Sequence, residues 1–264
     1  MNEASLKNTN DKLQPGRLNF LSNPENHKTF EEIYRGLRQT EGRHYDDQTV
    51  AQLPDVPHGH PFFEEWRMRK DSMKRLYNYL RRKRRSLTIL DLGCGNGWLA
   101  HRLAHLPHST VYALDKNQAE LEQSVRLFSE QENLMAIYGD IFAEIFDDTR
   151  FDSIILASVV QYFKDTQSLI GRLIRLLKPE GELHILDSPI YSEHSAPAAR
   201  QRSYDYFERI GYPVMMHYYF HHRWEALSDF DYTIKYNPNA WQSRFQRKFM
   251  NRMLSPFPWI VIYS

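Results

Sequence analysis

The residues best suited to chemistry in this chain are three acids and three glycines set at the ends of apolar runs. In ILDLGCGNGWLA (89–100) an apolar run carries Asp91 near its end, and Gly93, Gly95 and Gly97 follow before a helical pattern begins. Glycines at such a turn let the backbone bend sharply and leave no side chain between it and a ligand. A GxGxxG dinucleotide fingerprint would need its third glycine at position 98, where Trp98 stands, and no Lys followed by Ser or Thr completes a P-loop. Asp91 would repel a pyrophosphate but suits a ligand that carries an ammonium group. A hydride-transfer enzyme is therefore a poor match.

Two more acids follow the same logic. Asp115 ends TVYALD (110–115), about 20 residues past the glycine turn, where a carboxylate accepts from both hydroxyls of a ribose that has no 2′-phosphate. Asp140 closes LMAIYGD (134–140), placed to accept from the amine of an adenine while Ile141 packs on the ring. Each acid alone reads as a loop or capping residue. Three at successive strand ends, where open α/β sheets bind ligands, read as a nucleoside site.

The elements that must position these residues can be named. LTILDL (87–92), TVYALD, LMAIYGD, FDSIILAS (151–158) and GELHILD (181–187) are strands separated by amphipathic helical segments, the pattern of consecutive βαβ units. Asn117 with Glu120 forms a capping box before Leu121, Val125 and Phe128, and the helix bearing Leu169, Leu173, Leu176 and Leu177 is stopped by Pro179 and Gly181. Right-handed crossovers then wind the sheet both ways from its first strand. FDYTIKY (230–236) and PWIVIY (258–263) are two further strands around a basic helical stretch, WQSRFQRKFMNRML (241–254). Residues 1–22 read as a polar, flexible tail. Residues 23–86 form a helical cap, with Asn23 and Pro24 opening a helix that carries Phe30, Ile33, Tyr34 and Leu37, and a longer helix bearing Phe62, Trp66, Met73, Leu76, Tyr77 and Leu80. Residues 87–264 form the main domain, with a substrate-side insertion at about 190–228.

Bulk properties narrow the classes. The chain has 264 residues, and its net charge of +1 comes from 34 basic and 33 acidic side chains, so it offers no strong overall field for nucleic acid. Cys94 is the only cysteine, which excludes an intrachain disulfide and a cysteine-based zinc site. No metal site is expected. The amino-terminal stretch lacks a signal-like apolar run and no segment is long enough to cross a bilayer, so the expected location is cytoplasmic.

These residues resemble the class I S-adenosylmethionine-dependent methyltransferases over about 87–263. DLGCGNG is similar to the family's first motif, Asp115 matches its ribose-binding acid, and YGDIF carries Asp140 at the adenine position. The resemblance implies S-adenosyl-L-methionine as cofactor, held by Asp91, Gly93, Cys94, Gly95, Gly97, Asp115, Lys116, Asp140 and Ile141. FDSIILASVVQYF is similar to the segment after the family's fourth strand, which implies Ala157 and Ser158 beside the cofactor and Gln161, Tyr162 and Phe163 towards the acceptor. LLKPEGELHILD resembles the passage into the fifth strand. The implied fold is α/β, a doubly wound, seven-stranded and mostly parallel sheet with an antiparallel last strand and an N-terminal helical cap.

The implied activity is methyl transfer to an O, N or C atom of a small molecule. Tyr162 has the best address for a catalytic role, whereas His184, His194, His217, His221 and His222 offer no basis for choosing a general base. Arg43 and Tyr45 in EGRHYDD are candidates for the cofactor's carboxylate or the acceptor, against the alternative of a solvated loop. Tyr218, Tyr219, Phe220 and Trp224 line an acceptor pocket or form a subdomain core. The run Arg81, Arg82, Lys83, Arg84, Arg85 raises RNA ribose methylation as an alternative, but no aromatic platform is interleaved with it. A non-catalytic S-adenosylmethionine-binding module is the alternative from another class.

Overall fold

The computed structural model describes residues 13–148, 150–241, 243, 245 and 254–264. The alternating pattern folds into one sheet built from β1 (Leu18–Phe20), β2 (Leu87–Leu92), β3 (Ser109–Asp115), β4 (Leu134–Tyr138), β5 (Phe151–Ala157), β6 (Leu177–Leu186), β7 (Tyr232–Tyr236) and β8 (Trp259–Tyr263). Their order is β1-β4-β3-β2-β5-β6-β8-β7. All pairings up to β6 are parallel, and β8 runs antiparallel to both of its neighbours. The order reverses at β2, so the carboxyl ends of β2, β3 and β5 face a common crevice.

The sheet has eight strands where seven were expected, and the extra one corrects the reading of residues 1–22 as a tail. Leu18–Phe20 lies parallel on β4, with Leu18 opposite Ala136 and Phe20 opposite Tyr138. The buried Asn19 amide donates to Gln14 O, Arg17 O and Ala136 O, which pins the preceding turn. Three residues are too few to show a strand period. Residues 1–12 lie outside the described residues.

Successive β2 residues point to opposite faces of the sheet. Ile89 packs with the face covered by helices α3 (Phe63–Arg81), α4 (Trp98–Ala104) and α5 (Gln118–Phe128), and Leu90 packs with the face covered by α6 (Thr166–Leu176). Leu177, expected to end a helix, instead opens β6, because Phe151 pairs with it before the register shifts to Ser153 opposite Glu182. The cap comprises α1 (Lys28–Thr40), α2 (Asp47–Gln52) and α3, and a 3-10 turn capped by Asn23 precedes α1. Between β6 and β7 the chain forms α7 (Ala196–Arg209) and two 3-10 turns, Pro213–His217 and Trp224–Leu227. Leu37 of α1 packs on Phe207 and Met215, so cap and insertion share a small core beside the crevice. Of the basic stretch 241–254, residues 242, 244 and 246–253 lie outside the described residues. In the run 81–85, Lys83 pairs with Glu182 and Arg85 with Asp152, so two of its five charges hold the fold together.

Candidate active site

The turn after β2 is built from glycines because nothing else fits. Gly93 and Gly97 have φ of 74° and 75°, where L side chains are strained. A Cβ on Gly93 would lie 2.2 Å from Val159 Cγ2, and one on Gly97 would lie 2.1 Å from Ser124 Oγ. Gly97 therefore serves the packing of α4 against α5, while Gly93 and Gly95 face the ligand space.

That space is a cavity of about 290 Å³ whose lining includes Gly93, Gly95, Asp115, Lys116, Ile141 and Ser158. Asp115 Oδ2 accepts from Gly95 N at 2.7 Å, and its Oδ1 accepts from Lys116 N and Asn117 N at 2.7 and 2.8 Å. Burial pushes this carboxyl up, against the three N–H groups that favour its charged form. An ionised carboxylate has about four acceptor positions, so Asp115 retains capacity for a hydroxyl in the cavity.

Three expectations change here. Asn117 caps α5 by accepting from Glu120 N at 3.1 Å, but the box does not close, because the Asn117 N–H is already bonded to Asp115. The Glu120 carboxylate instead lines the cavity beside Gly95, where burial and Asp115 push it up to about 7. Asp140 is not in the cavity lining. Its Oδ2 is paired by Lys116 Nζ at 2.7 Å and its Oδ1 accepts from Phe142 N, while Gly139 and Ile141 face the cavity on either side. Arg43 and Tyr45 also lie away from it, although Arg43 borders the cleft described below. Arg43 makes two hydrogen bonds to Glu65, at 2.9 and 2.6 Å, and lies over the Phe62 ring; Tyr45 accepts from Trp66 Nε1 at 3.2 Å. A guanidinium with a carboxylate of its own cap so near is held there.

Asp91 borders a second, smaller space on the other side of Gly93, together with Cys94, Ala157, Arg69, Ser72 and Asp187. It is buried, its Oδ2 has no hydrogen-bond partner, and burial followed by the charge of Asp115 pushes it up to about 7. An orphaned buried carboxylate suits an ammonium group, Arg69 borders the same space while Glu65 pairs with it at 3.0 Å, and the Asp115 cavity fits a nucleoside. The residues present thus fit S-adenosylmethionine. The sequence reading missed Arg69, on the cap helix, because nothing in its spacing shows which way it points.

A third space, a cleft of about 620 Å³ between cap and insertion, is lined by Tyr162, Tyr191, Tyr206, Tyr219 and Phe257 among others. Tyr162 accepts from Arg38 Nη2 at 3.3 Å and is flanked edge-on by Tyr34 and Tyr219. Tyr218 faces the cofactor cavity and Tyr219 the cleft, whereas Trp224 stacks on Tyr232. None of the five histidines singled out from the sequence lines either space. His184 is buried against Glu182, His222 faces Val160 O, His221 pairs with Ser203 Oγ, and His194 and His217 are exposed.

Comparison with known proteins agrees with this geometry. A family model described as a methyltransferase domain matches residues 83–224. The chain is similar to a malonyl-[acyl-carrier protein] O-methyltransferase of Halalkalibacterium halodurans, 32% identical over 118 residues that cover 41% of this chain and 44% of that protein. It is also similar to a ubiquinone biosynthesis O-methyltransferase of Bartonella tribocorum, 31% identical over 102 residues covering 38% and 40%. The similarity thus spans less than half the length of these relatives. A solved geranyl diphosphate methyltransferase, in complex with GPP and sinefungin, shares the fold with a TM-score of 0.54 at 13% identity, covering 79% of this chain and 83% of that one. The glycine turn, the strand-end acids and the matched domain together place the chain in the methyltransferase-domain family, as a class I S-adenosylmethionine-dependent member.

Proposed function

We propose that this protein transfers the methyl group of S-adenosylmethionine to a small molecule seated in the cleft between cap and insertion. One observation carries the reading: among the described residues, Ser158 and Tyr162 line both the cofactor cavity and the cleft. Both follow β5, where donor and acceptor must meet. When bound, the cofactor supplies an electrophilic methyl on a sulfonium whose leaving group is a neutral thioether, so the protein's main tasks are alignment and exclusion of water.

The chain's own residues divide these tasks. Gly93 and Gly95 permit close approach, Asp115 accepts from a ribose hydroxyl, Ile141 packs on the base, and Asp91 holds the ammonium of the amino acid end. Tyr162, fixed by Arg38 and by neighbouring rings, forms the wall against which the acceptor is oriented. The pairing of Lys83 and Arg85 within the fold leaves the 81–85 run a weak nucleic-acid surface, which supports a small acceptor. The test is turnover of methyl-labelled S-adenosylmethionine against a panel of phenols, alcohols and amines, with the products separated by mass. Transfer to one class is expected; tight binding of S-adenosylhomocysteine with no transfer to any member would favour a binding module instead.

A further inference from the structure

Methyl transfer to a hydroxyl or an amine releases a proton that needs an acceptor. Asp187, directly after β6, occupies the position where such a group is needed. It borders the small space next to Asp91 and also lines the cleft that contains Tyr162. Its backbone is left-handed, with φ of 49°, and so is that of Ser158 at 59°, whose Oγ donates to Asp187 O at 3.0 Å. Two adjoining non-glycine residues in this conformation are held against their preference, a feature that clusters at functional sites.

The side chain is fixed with equal care. Ser72 Oγ from α3 and Ser255 Oγ from the segment before β8 both donate to Oδ1, at 2.7 and 2.8 Å. No described residue donates to Oδ2. Gln161, which lines the same cleft, has its Oε1 buried without a donor. Two acceptor oxygens beside an aromatic-walled cleft call for a ligand that brings hydrogens.

We propose that Asp187 is the acceptor-facing carboxylate of this enzyme, its Oδ2 binding the hydroxyl or ammonium hydrogen of a ring-bearing acceptor and taking that proton as methyl transfer proceeds. The proposal rests on the reading of the cleft as the acceptor site. In the step, the oxygen lone pair of a hydroxyl, or the nitrogen lone pair that an ammonium gains once its proton has passed to Asp187, forms the bond to the methyl carbon. The methyl–sulfur bond breaks with its electrons leaving on the neutral thioether, and the acceptor's proton passes to Asp187. Arg38, Arg43, Arg69 and Arg202 also line the cleft, but the first three pair with Glu41 or Glu65, and a carboxylate acceptor would set a second anion against Oδ2. Burial raises the Asp187 carboxyl above its ordinary range while Arg69, Ser72, Ser255 and Arg75 lower it, and Asp91 borders the same small space. A base so shifted lies nearer the working pH of proton transfer.

The test uses the full chain saturated with S-adenosylhomocysteine and titrated calorimetrically with benzylamine, benzyl alcohol and benzoate. The first two should bind and benzoate should not. Asp187→Asn keeps the shape and tolerates the left-handed backbone, so its melting temperature should stay close to that of the parent. It should weaken benzylamine by about tenfold or more, the scale of a lost charged hydrogen bond, and by more than it weakens S-adenosylhomocysteine. Ser255→Ala, which removes one donor to Oδ1 and keeps the charge, should weaken benzylamine less, and it carries the comparison should the Asn variant fail to fold. Unchanged benzylamine affinity in the variant that is used, preferential binding of benzoate, or no probe binding while S-adenosylhomocysteine binds would each overturn the assignment. Absence of heat with S-adenosylhomocysteine itself would remove the cofactor reading first, and the proposal with it.

Discussion

Asp115 is the side chain on which cofactor affinity should turn most sharply. It presents a charged acceptor to the cavity while three backbone N–H groups of the two adjoining turns hold it in place. Asp115→Ala is expected to weaken S-adenosylhomocysteine binding by about 1–3 kcal/mol, read by calorimetry. Equal affinity in the variant would mean that the ribose is held elsewhere. This acid was legible in the sequence because its distance from the glycine turn is set by one βα unit. Glu120 and Arg69 were not legible, because a helical position fixes a residue's face but not what stands opposite it. Asp140 differs: its position at a strand end was visible, but the folded chain sets it outside the cavity lining, with Lys116 and the Phe142 N–H on its oxygens.

At the scale of elements, the cap lines both cofactor spaces, through Phe30, Tyr34 and Arg69, and is tied to the rest of the fold by a polar network. Glu41 accepts from Arg38 and from Tyr206 of α7, and Arg43 bridges towards Glu65, which Arg69 also contacts. Burial alone would raise Glu65, yet Arg43 and Arg69 hold it at about 2. Arg43→Ala should therefore lower stability by about 1–2 kcal/mol and leave S-adenosylhomocysteine affinity within about twofold. Thermal melts and calorimetry on the same variant distinguish the outcomes, and a large loss of affinity with unchanged stability would restore Arg43 to the cofactor site. The apolar periodicity of α1 and α3 was readable in advance, as were their aromatic and aliphatic core positions. That the two helices would meet α7 across the cleft was not, since cap and insertion are separated by more than a hundred residues of sequence.

For the whole molecule, pH reports on the acids gathered at the crevice. Asp91 and Glu120 are both pushed up to about 7. A carboxyl raised in the fold favours folding fully below its unfolded value, and that contribution is lost as pH rises through the folded value. The ligand-free protein should lose stability from these two groups between about pH 4 and 7. Glu65 and Glu182, held at about 2, act oppositely, and their contribution is lost as pH falls from the ordinary carboxyl range towards 2. Because an ammonium ligand favours ionised Asp91, thermal protection by S-adenosylmethionine should grow as pH rises through about 7, and Asp91→Asn should flatten that trend. Protection independent of pH in the parent protein would separate Asp91 from the ligand. The sequence by itself determined the layered sheet, the glycine turn and the acids after successive strands, because period, turn chemistry and crossover handedness are local rules. Only the tertiary structure decided which acids keep a free oxygen, that a three-residue strand closes one edge, and that Ser158, Tyr162 and Asp187 border a common cleft. Those outcomes depend on which partners distant segments bring to each polar atom, and no spacing along the chain encodes them.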